Sequence, residues 1–77
     1  MPLRLYVREG CALCEEFLLE LSLDLGARQA DLALIDVDGD PPLAIHYGLR
    51  VPVLEDGGAV ICEGRYDRER VRRALRL

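Results

Sequence analysis

The chain opens on an alternation rich in strand formers, Leu3-Arg4-Leu5-Tyr6-Val7, and this pattern predicts a first strand. Glu9-Gly10 breaks it. From Cys11 the period changes: Leu13, Phe17, Leu18, Leu21 and Leu25 recur at helical spacing, with Glu15, Glu16, Glu20 and Asp24 between them. The spacing predicts a helix of about four turns, with Gly26 at the position of a C-cap. Leu32-Ala33-Leu34-Ile35-Asp36-Val37 is a nearly continuous apolar run, as expected of a strand buried on both faces in a parallel sheet. Asp40 followed by Pro41 reads as an N-cap and a first helical turn, so a short helix is expected from Pro42 to about Tyr47, ending at Gly48.

Val51-Pro52-Val53-Leu54 and Ala59-Val60-Ile61-Cys62 then read as two strands joined through Glu55-Asp56-Gly57-Gly58, a hairpin signal. Asp67 is placed to cap a last helix with Val71, Ala74 and Leu75 as its apolar stripe. The resulting order is β-α-β-α-β-β-α, an α/β fold with a mixed four-stranded sheet and three helices, in one domain spanning 1–77. Seventy-seven residues leave no room for a second core. A composition that is 51% hydrophobic and 31% charged excludes a disordered tail.

Charge and targeting signals narrow the setting. The net charge of −4 argues against nucleic acid as a partner, because phosphate affinity is dominated by positive charge. That charge is uneven: residues 65 to 77 hold six arginines against Asp67 and Glu69, whereas the preceding residues hold four arginines against twelve acids. The arginines fit a solvated last helix with cations toward its C-terminus; a patch for a phosphate or an acidic partner is the alternative. Met1 to Val7 lacks the features of a secretory signal, and no stretch approaches the ~20 apolar residues needed to span a bilayer. The expectation is a cytoplasmic monomer without membrane association. There, paired cysteines are more often reactive or metal-binding than structural.

The candidate chemistry is Cys11-Ala12-Leu13-Cys14. Cysteines three apart at a helix start share one face of its first turn, with Cβ atoms roughly 5 to 6 Å apart. A small adjustment brings them to the ~3.8 Å of a disulfide. Cys11 would sit beside unpaired backbone N–H groups and the positive end of the helix dipole, both of which favour the thiolate that attacks disulfides. Cys11 is therefore the expected nucleophile and Cys14, one turn inside, the resolving thiol. Arg8 would add positive charge nearby, while Glu15 and Glu16 oppose it. A zinc site would need a further ligand pair, and only Cys62 and His46 remain, with no close Cys/His spacing. No metal is expected; Cys62 reads as a small core or edge residue and His46 as a surface or partly buried helix residue. Asp36, Asp38 and Asp40 fit a strand end and a helix cap, and Gly57-Gly58 lacks the pattern of a phosphate loop.

Three segments together resemble the glutaredoxin branch of the thioredoxin superfamily, and in particular its small bacterial glutaredoxin-like proteins. Tyr6-Val7-Arg8-Glu9-Gly10-Cys11-Ala12-Leu13-Cys14 is similar to the strand, basic residue and C-x-x-C of that family, with Arg8 in the place of its usual lysine. Arg50-Val51-Pro52-Val53 is similar to the loop whose proline is cis and faces the thiols. Read alone, Pro52 would be a trans proline entering an edge strand. Gly64-Arg65-Tyr66-Asp67 is similar to the turn and helix cap that hold the γ-glutamyl end of glutathione. The resemblance implies a thioredoxin fold and pairing of the Val51 backbone with a bound thiol substrate, as an added strand would pair. It also implies substrate contacts from Arg8, Pro52, Gly64 and Asp67. The chain departs from the family pattern in the residues between its cysteines, at Arg50, where threonine is common, and at Glu63, which replaces the first glycine of a pair. Thioredoxin itself fits less well, since the chain has no tryptophan and carries Leu5 where a buried acid is expected.

The expected function is a dithiol thiol-disulfide oxidoreductase that reduces protein or glutathione mixed disulfides, with no bound cofactor and with glutathione as reductant or substrate. Two other readings stay open. One is a non-catalytic interaction module of the same fold; the other is a metal or iron–sulfur carrier, which the second cysteine of the motif disfavours.

Overall fold

The computed structural model describes residues 3–77. Met1 and Pro2, which begin both the 1–77 domain and the segment read for a leader, lie outside the described residues. β1 (Leu3–Val7) leads to α1 (Ala12–Leu25), followed by a 3₁₀ segment (Gly26–Asp31) and β2 (Leu32–Asp36). A second 3₁₀ turn (Val37–Gly39) precedes α2 (Pro41–Tyr47). The hairpin β3 (Val53–Asp56) and β4 (Ala59–Glu63) precedes α3 (Arg68–Leu75). The sheet order is β2-β1-β3-β4, with β2 parallel and β3 antiparallel to β1. The expected α/β order and mixed four-stranded sheet are thus present.

Strand periodicity divides the core between the two faces of the sheet. Leu3 and Leu5 of β1 and Leu54 of β3 pack with Phe17, Leu21 and Leu25 of α1 and Val71 and Leu75 of α3. Tyr6 and Val53 point the other way, onto Val37 of the 3₁₀ turn and Tyr47 of α2. Cys14 is buried on α1 while Leu13 is 44% exposed, so the first member of the expected stripe belongs to solvent. On α3, Val71 and Leu75 are buried but Ala74 is exposed, because a stripe at four-residue spacing suffices to meet a sheet this narrow.

Two other expectations need correction. β2 is not buried on both faces: it is an edge strand, with Ala33 and Leu34 exposed and, among the described residues, a neighbour only in β1. Its apolar run extends into Val37, which is fully buried only after the chain has turned into the 3₁₀ segment. The hairpin turn is also shorter than expected. β3 begins at Val53 and runs on through Glu55 and Asp56, leaving Gly57-Gly58 alone as the connection. Both glycines have positive φ, 60° and 88°, which is what a two-residue turn matching strand twist requires. Asp40 occupies the N-cap of α2 without a capping side-chain hydrogen bond, and the helix starts at Pro41. Asp67 does cap α3, accepting from Arg70 N–H at 3.0 Å.

Several of the last-helix arginines have internal partners. Arg68 and Arg72 reach Asp24 of α1 at 3.1 and 3.4 Å, and the Tyr66 hydroxyl donates to the same carboxylate at 2.5 Å. The Tyr66 hydrogen bond, with support from the two guanidiniums, holds the Asp24 carboxyl below its ordinary value of 3.8. A lowered folded-state value favours the folded protein above the ordinary carboxylate pKa and loses that contribution as pH falls through the lowered value. Asp24→Asn is therefore expected to cost about 1–2 kcal/mol at pH 7. It should also flatten the fall of stability with acidification below pH 4, read by urea unfolding across pH 2 to 7.

Candidate active site

The sheet register gathers the candidate residues at one end. β1 leaves the sheet at Val7, paired with Asp36 of β2, and Tyr6 is paired with Val53 of β3, which is itself paired with Glu63 of β4. Arg8 to Cys11, Asp36 to Asp38, Arg50 to Pro52 and Glu63-Gly64 consequently emerge together. Gly10, at φ 73°, turns the chain from β1 into α1.

Cys11 is the N-cap of α1, in extended conformation, and is joined to Cys14 in a disulfide with a Cα–Cα separation of 5.2 Å. Its Sγ accepts from the Cys14 N–H at 3.1 Å. Cys11 is partly exposed, whereas Cys14 is 4% exposed. The chain therefore places a partly exposed cysteine at a helix N-terminus and holds a buried one behind it. On reduction, the Cys14 amide and the free N–H groups of the first turn would face the Cys11 sulfur and favour its thiolate.

The partner loop is tied to this arrangement. The Val51–Pro52 peptide is cis, and Pro52 is fully buried. Gly64 N–H donates to the Pro52 carbonyl at 2.8 Å, fixing the Gly64 turn against this loop. Val51 N–H donates to the Tyr47 carbonyl at 3.0 Å, so that group is already engaged within the chain. Gly64, Arg65 and Tyr66 line a cleft of about 160 Å³ with Leu13, Glu16, Phe17 and Glu20 of α1, which places the Gly64 turn beside Leu13 of the cysteine motif. Asp67 lies outside this cleft lining and serves the cap of α3.

Arg8 is less free than the sequence implies. Its guanidinium makes paired hydrogen bonds to Asp38, Nε to Oδ2 at 3.0 Å and Nη2 to Oδ1 at 2.9 Å, and Nη1 donates to the Gly48 carbonyl at 3.0 Å. The Arg8 hydrogen bond holds the Asp38 carboxyl below its ordinary value. Gly48 admits this contact: a Cβ there would meet the Ala44 carbonyl and would stand 2.9 Å from Arg8 Nη2. Arg8 therefore straps the segment before Cys11 to the end of α2.

Cys62 is buried on β4, and burial raises its thiol pKa, which leaves it unreactive compared with a cysteine at a helix N-terminus. His46 is exposed on α2 and packs edge-on against Tyr47. Among the described residues no group of three or more His, Cys, Asp and Glu side chains is arranged to hold a metal ion, and no helix is long and apolar enough to cross a membrane.

The sequence reading missed a polar cluster on the opposite face of the sheet. Glu55 is 5% exposed and accepts from the Tyr6 hydroxyl at 3.2 Å and from the Tyr47 hydroxyl. Tyr6 and Tyr47 stack with ring centroids 4.1 Å apart, and the Arg50 guanidinium lies 5.3 Å from the Tyr47 centroid. The available signal was parity: a strand continued past Leu54 puts Glu55 on the Val53 face, opposite Leu54. Nor was the pairing of Arg50 with Glu63 foreseen, although both stood out as departures from the family pattern. Nε reaches Oε2 at 2.8 Å and Nη2 reaches Oε1 at 3.2 Å. Arg50 holds the Glu63 carboxyl below its ordinary value through that hydrogen bond.

The chain is similar to known proteins over nearly its whole length. The sequence model of the Glutaredoxin-like domain (DUF836) matches residues 2–76. The crystal structure of protein XcR50 from X. campestris, a structural-genomics target, shares 35% identity over 96% of this chain and 95% of that one, with a TM-score of 0.74. The solution structure of protein Ne2328 from Nitrosomonas europaea shares 32% identity over 95% of this chain and 88% of that one, with a TM-score of 0.78. Among curated proteins, none matches.

Proposed function

Because the chain belongs to the Glutaredoxin-like domain family, with a cysteine pair that fits thiol oxidoreductase chemistry, we propose that it is a dithiol oxidoreductase whose nucleophile is Cys11. The observation that carries this reading is the asymmetry of the pair: a partly exposed cysteine at the N-cap of α1, backed by a buried one bonded to it.

In the reductive direction the Cys11 thiolate attacks one sulfur of a substrate disulfide. A Cys11–substrate disulfide forms, the substrate S–S bond breaks, and the departing thiolate takes a proton from solvent. Cys14 then loses its proton to solvent and attacks the Cys11 sulfur, forming the Cys11–Cys14 disulfide and releasing the second substrate thiolate. Two electrons pass from the dithiol to the substrate. Two thiols of the glutathione class, or one protein dithiol, must return them before the next turnover, leaving as a disulfide.

The substrate is taken to be a protein or glutathione mixed disulfide lying against the Val51–Pro52 loop and the Gly64 turn. With Val51 N–H bonded to Tyr47, backbone pairing there relies on the Val51 carbonyl. The reading takes the protein as a monomer with no bound cofactor, acting in a reducing cytoplasm where the pair is kept available for exchange.

The test is a mass-resolved reaction of the fully reduced protein with oxidised glutathione, with the modified residue mapped over time. The expected result is a transient adduct on Cys11 that gives way to the Cys11–Cys14 disulfide. Slow, unselective modification of all three cysteines would overturn the reading.

A further inference from the structure

Two arginines stand at the end of the sheet from which Cys11 emerges, and each is held by a carboxylate. Arg8 is bound by Asp38 and by the Gly48 carbonyl. Arg50, immediately before the Val51–Pro52 loop, is bound through two nitrogens by Glu63, immediately before the Gly64 turn. These are the loops that the Gly64–Pro52 hydrogen bond joins, and Gly64 shares its cleft with Leu13 of the cysteine motif. The Arg50–Glu63 pair is open to water, at 36% and 41% side-chain exposure, so either partner can exchange for a solute group. The Arg50 guanidinium also lies over the Tyr47 ring, a contact that does not depend on the carboxylate.

Resting on the oxidoreductase reading above, we propose that the Arg50–Glu63 pair is a charge filter on the disulfides that reach Cys11. Arg50 offers a planar, two-pronged site for a carboxylate carried near the substrate sulfur, as glutathione carries one. Glu63 occupies that site in advance. A substrate carboxylate must displace it and then approach a displaced negative charge, whereas an uncharged disulfide meets no such competition. Glu63 is thus a specificity-determining residue that shifts the preference of Cys11 away from anionic disulfides, and Arg50 opposes it.

The test uses the reduced full-length protein with Cys14→Ser, so that reaction stops at the mixed disulfide on Cys11. Rates of adduct formation are measured by mass with oxidised glutathione and with the uncharged disulfide of 2-mercaptoethanol, at low and high ionic strength. Glu63→Gln is expected to raise the anionic-to-neutral rate ratio about threefold at low salt, and Arg50→Gln to lower it by a similar factor, since each changes one screened charge at the end of the sheet from which Cys11 emerges. Both changes should shrink at high salt. Arg65, the cation that lines the Gly64 cleft, is common to all variants and cancels in the comparison.

Opposite shifts from the two members of one ion pair cannot come from loosening the loops, which either substitution would cause alike. A ratio that stays fixed, or that moves the same way in both variants, overturns the filter while leaving the oxidoreductase reading standing. A Cys11 inert to both disulfides overturns both.

Discussion

Cys11→Ser is expected to remove disulfide-reducing turnover, by on the order of a thousandfold or more, the scale on which loss of a covalent nucleophile is felt. Position matters here as much as residue type. Cys11 caps α1 and is the more exposed of the two cysteines, and the Cys14 amide points at its Sγ from 3.1 Å. A serine there would keep the cap and accept the same hydrogen bond, so the helix should fold as before. Its hydroxyl, however, offers almost no anion at neutral pH and forms no sulfur–sulfur bond. Cys14→Ser should behave differently. Attack by Cys11 remains, but the resolving step is lost, so the substrate should accumulate as a mixed disulfide on Cys11 that only an external thiol can clear. Mass spectrometry of both variants after exposure to a disulfide substrate distinguishes them. An adduct on Cys11 in Cys14→Ser and none in Cys11→Ser is the expected pair of results; equal turnover in wild type and Cys11→Ser would end the assignment.

The thiol end of the molecule was legible in the sequence because its signals are local. A strand, a glycine break and a helix with a cysteine at its start occupy Leu3 to Leu25 without reference to the rest of the chain, and the structure places them as read. The element order was legible for the same reason, since each change of period is short-range. What the sequence concealed is what depends on packing. Leu32 to Val37 looks like an interior strand, but sheet order is decided by where β3 docks, and β3 takes the other side of β1. Glu55 looks like a turn residue because a carboxylate is rarely buried without partners. Its partners, Tyr6 and Tyr47, are 49 and 8 positions away. Arg50 and Glu63 were each noticed as unusual, yet their pairing appears only when the hairpin brings the two loops together. Asp24 reads as a solvent-facing member of an amphipathic helix until α3 lays its arginines and Tyr66 across it.

Glu55→Ala is expected to cost about 3 kcal/mol of folding stability, the range for removing one member of a buried hydrogen-bonded polar cluster. The reason lies in what is left behind. Tyr6 and Tyr47 are 5% and 8% exposed, and both hydroxyls donate to this one carboxylate. Without it, two phenols are stranded where water has little access, and the Val53 side of β3 gains a cavity. For a domain of this size the loss corresponds to a fall in melting temperature of about 15 °C. Glu55→Gln keeps one acceptor oxygen and should cost less. Replacing the whole cluster, as Tyr6→Phe, Tyr47→Phe and Glu55→Leu together, should recover most of the loss, because no polar group is then left unpaired.

The same contacts set a response to alkali. The hydrogen bond to Glu55 raises the Tyr47 hydroxyl above its ordinary value of 10, with burial and the carboxylate's charge acting in the same direction. A group whose folded-state pKa is raised stabilises the fold fully below its unfolded value and loses that contribution as pH rises through the folded one. Wild-type stability should therefore begin to fall near pH 10, where the unfolded chain can release the Tyr47 proton and the folded chain cannot. In Glu55→Ala the lower stability should persist at neutral pH, with a shallower fall above pH 10. Denaturant unfolding at pH 7 and pH 10.5 checks both halves, and a Glu55→Ala protein as stable as wild type at pH 7 would mean that the carboxylate does not hold the two tyrosines together.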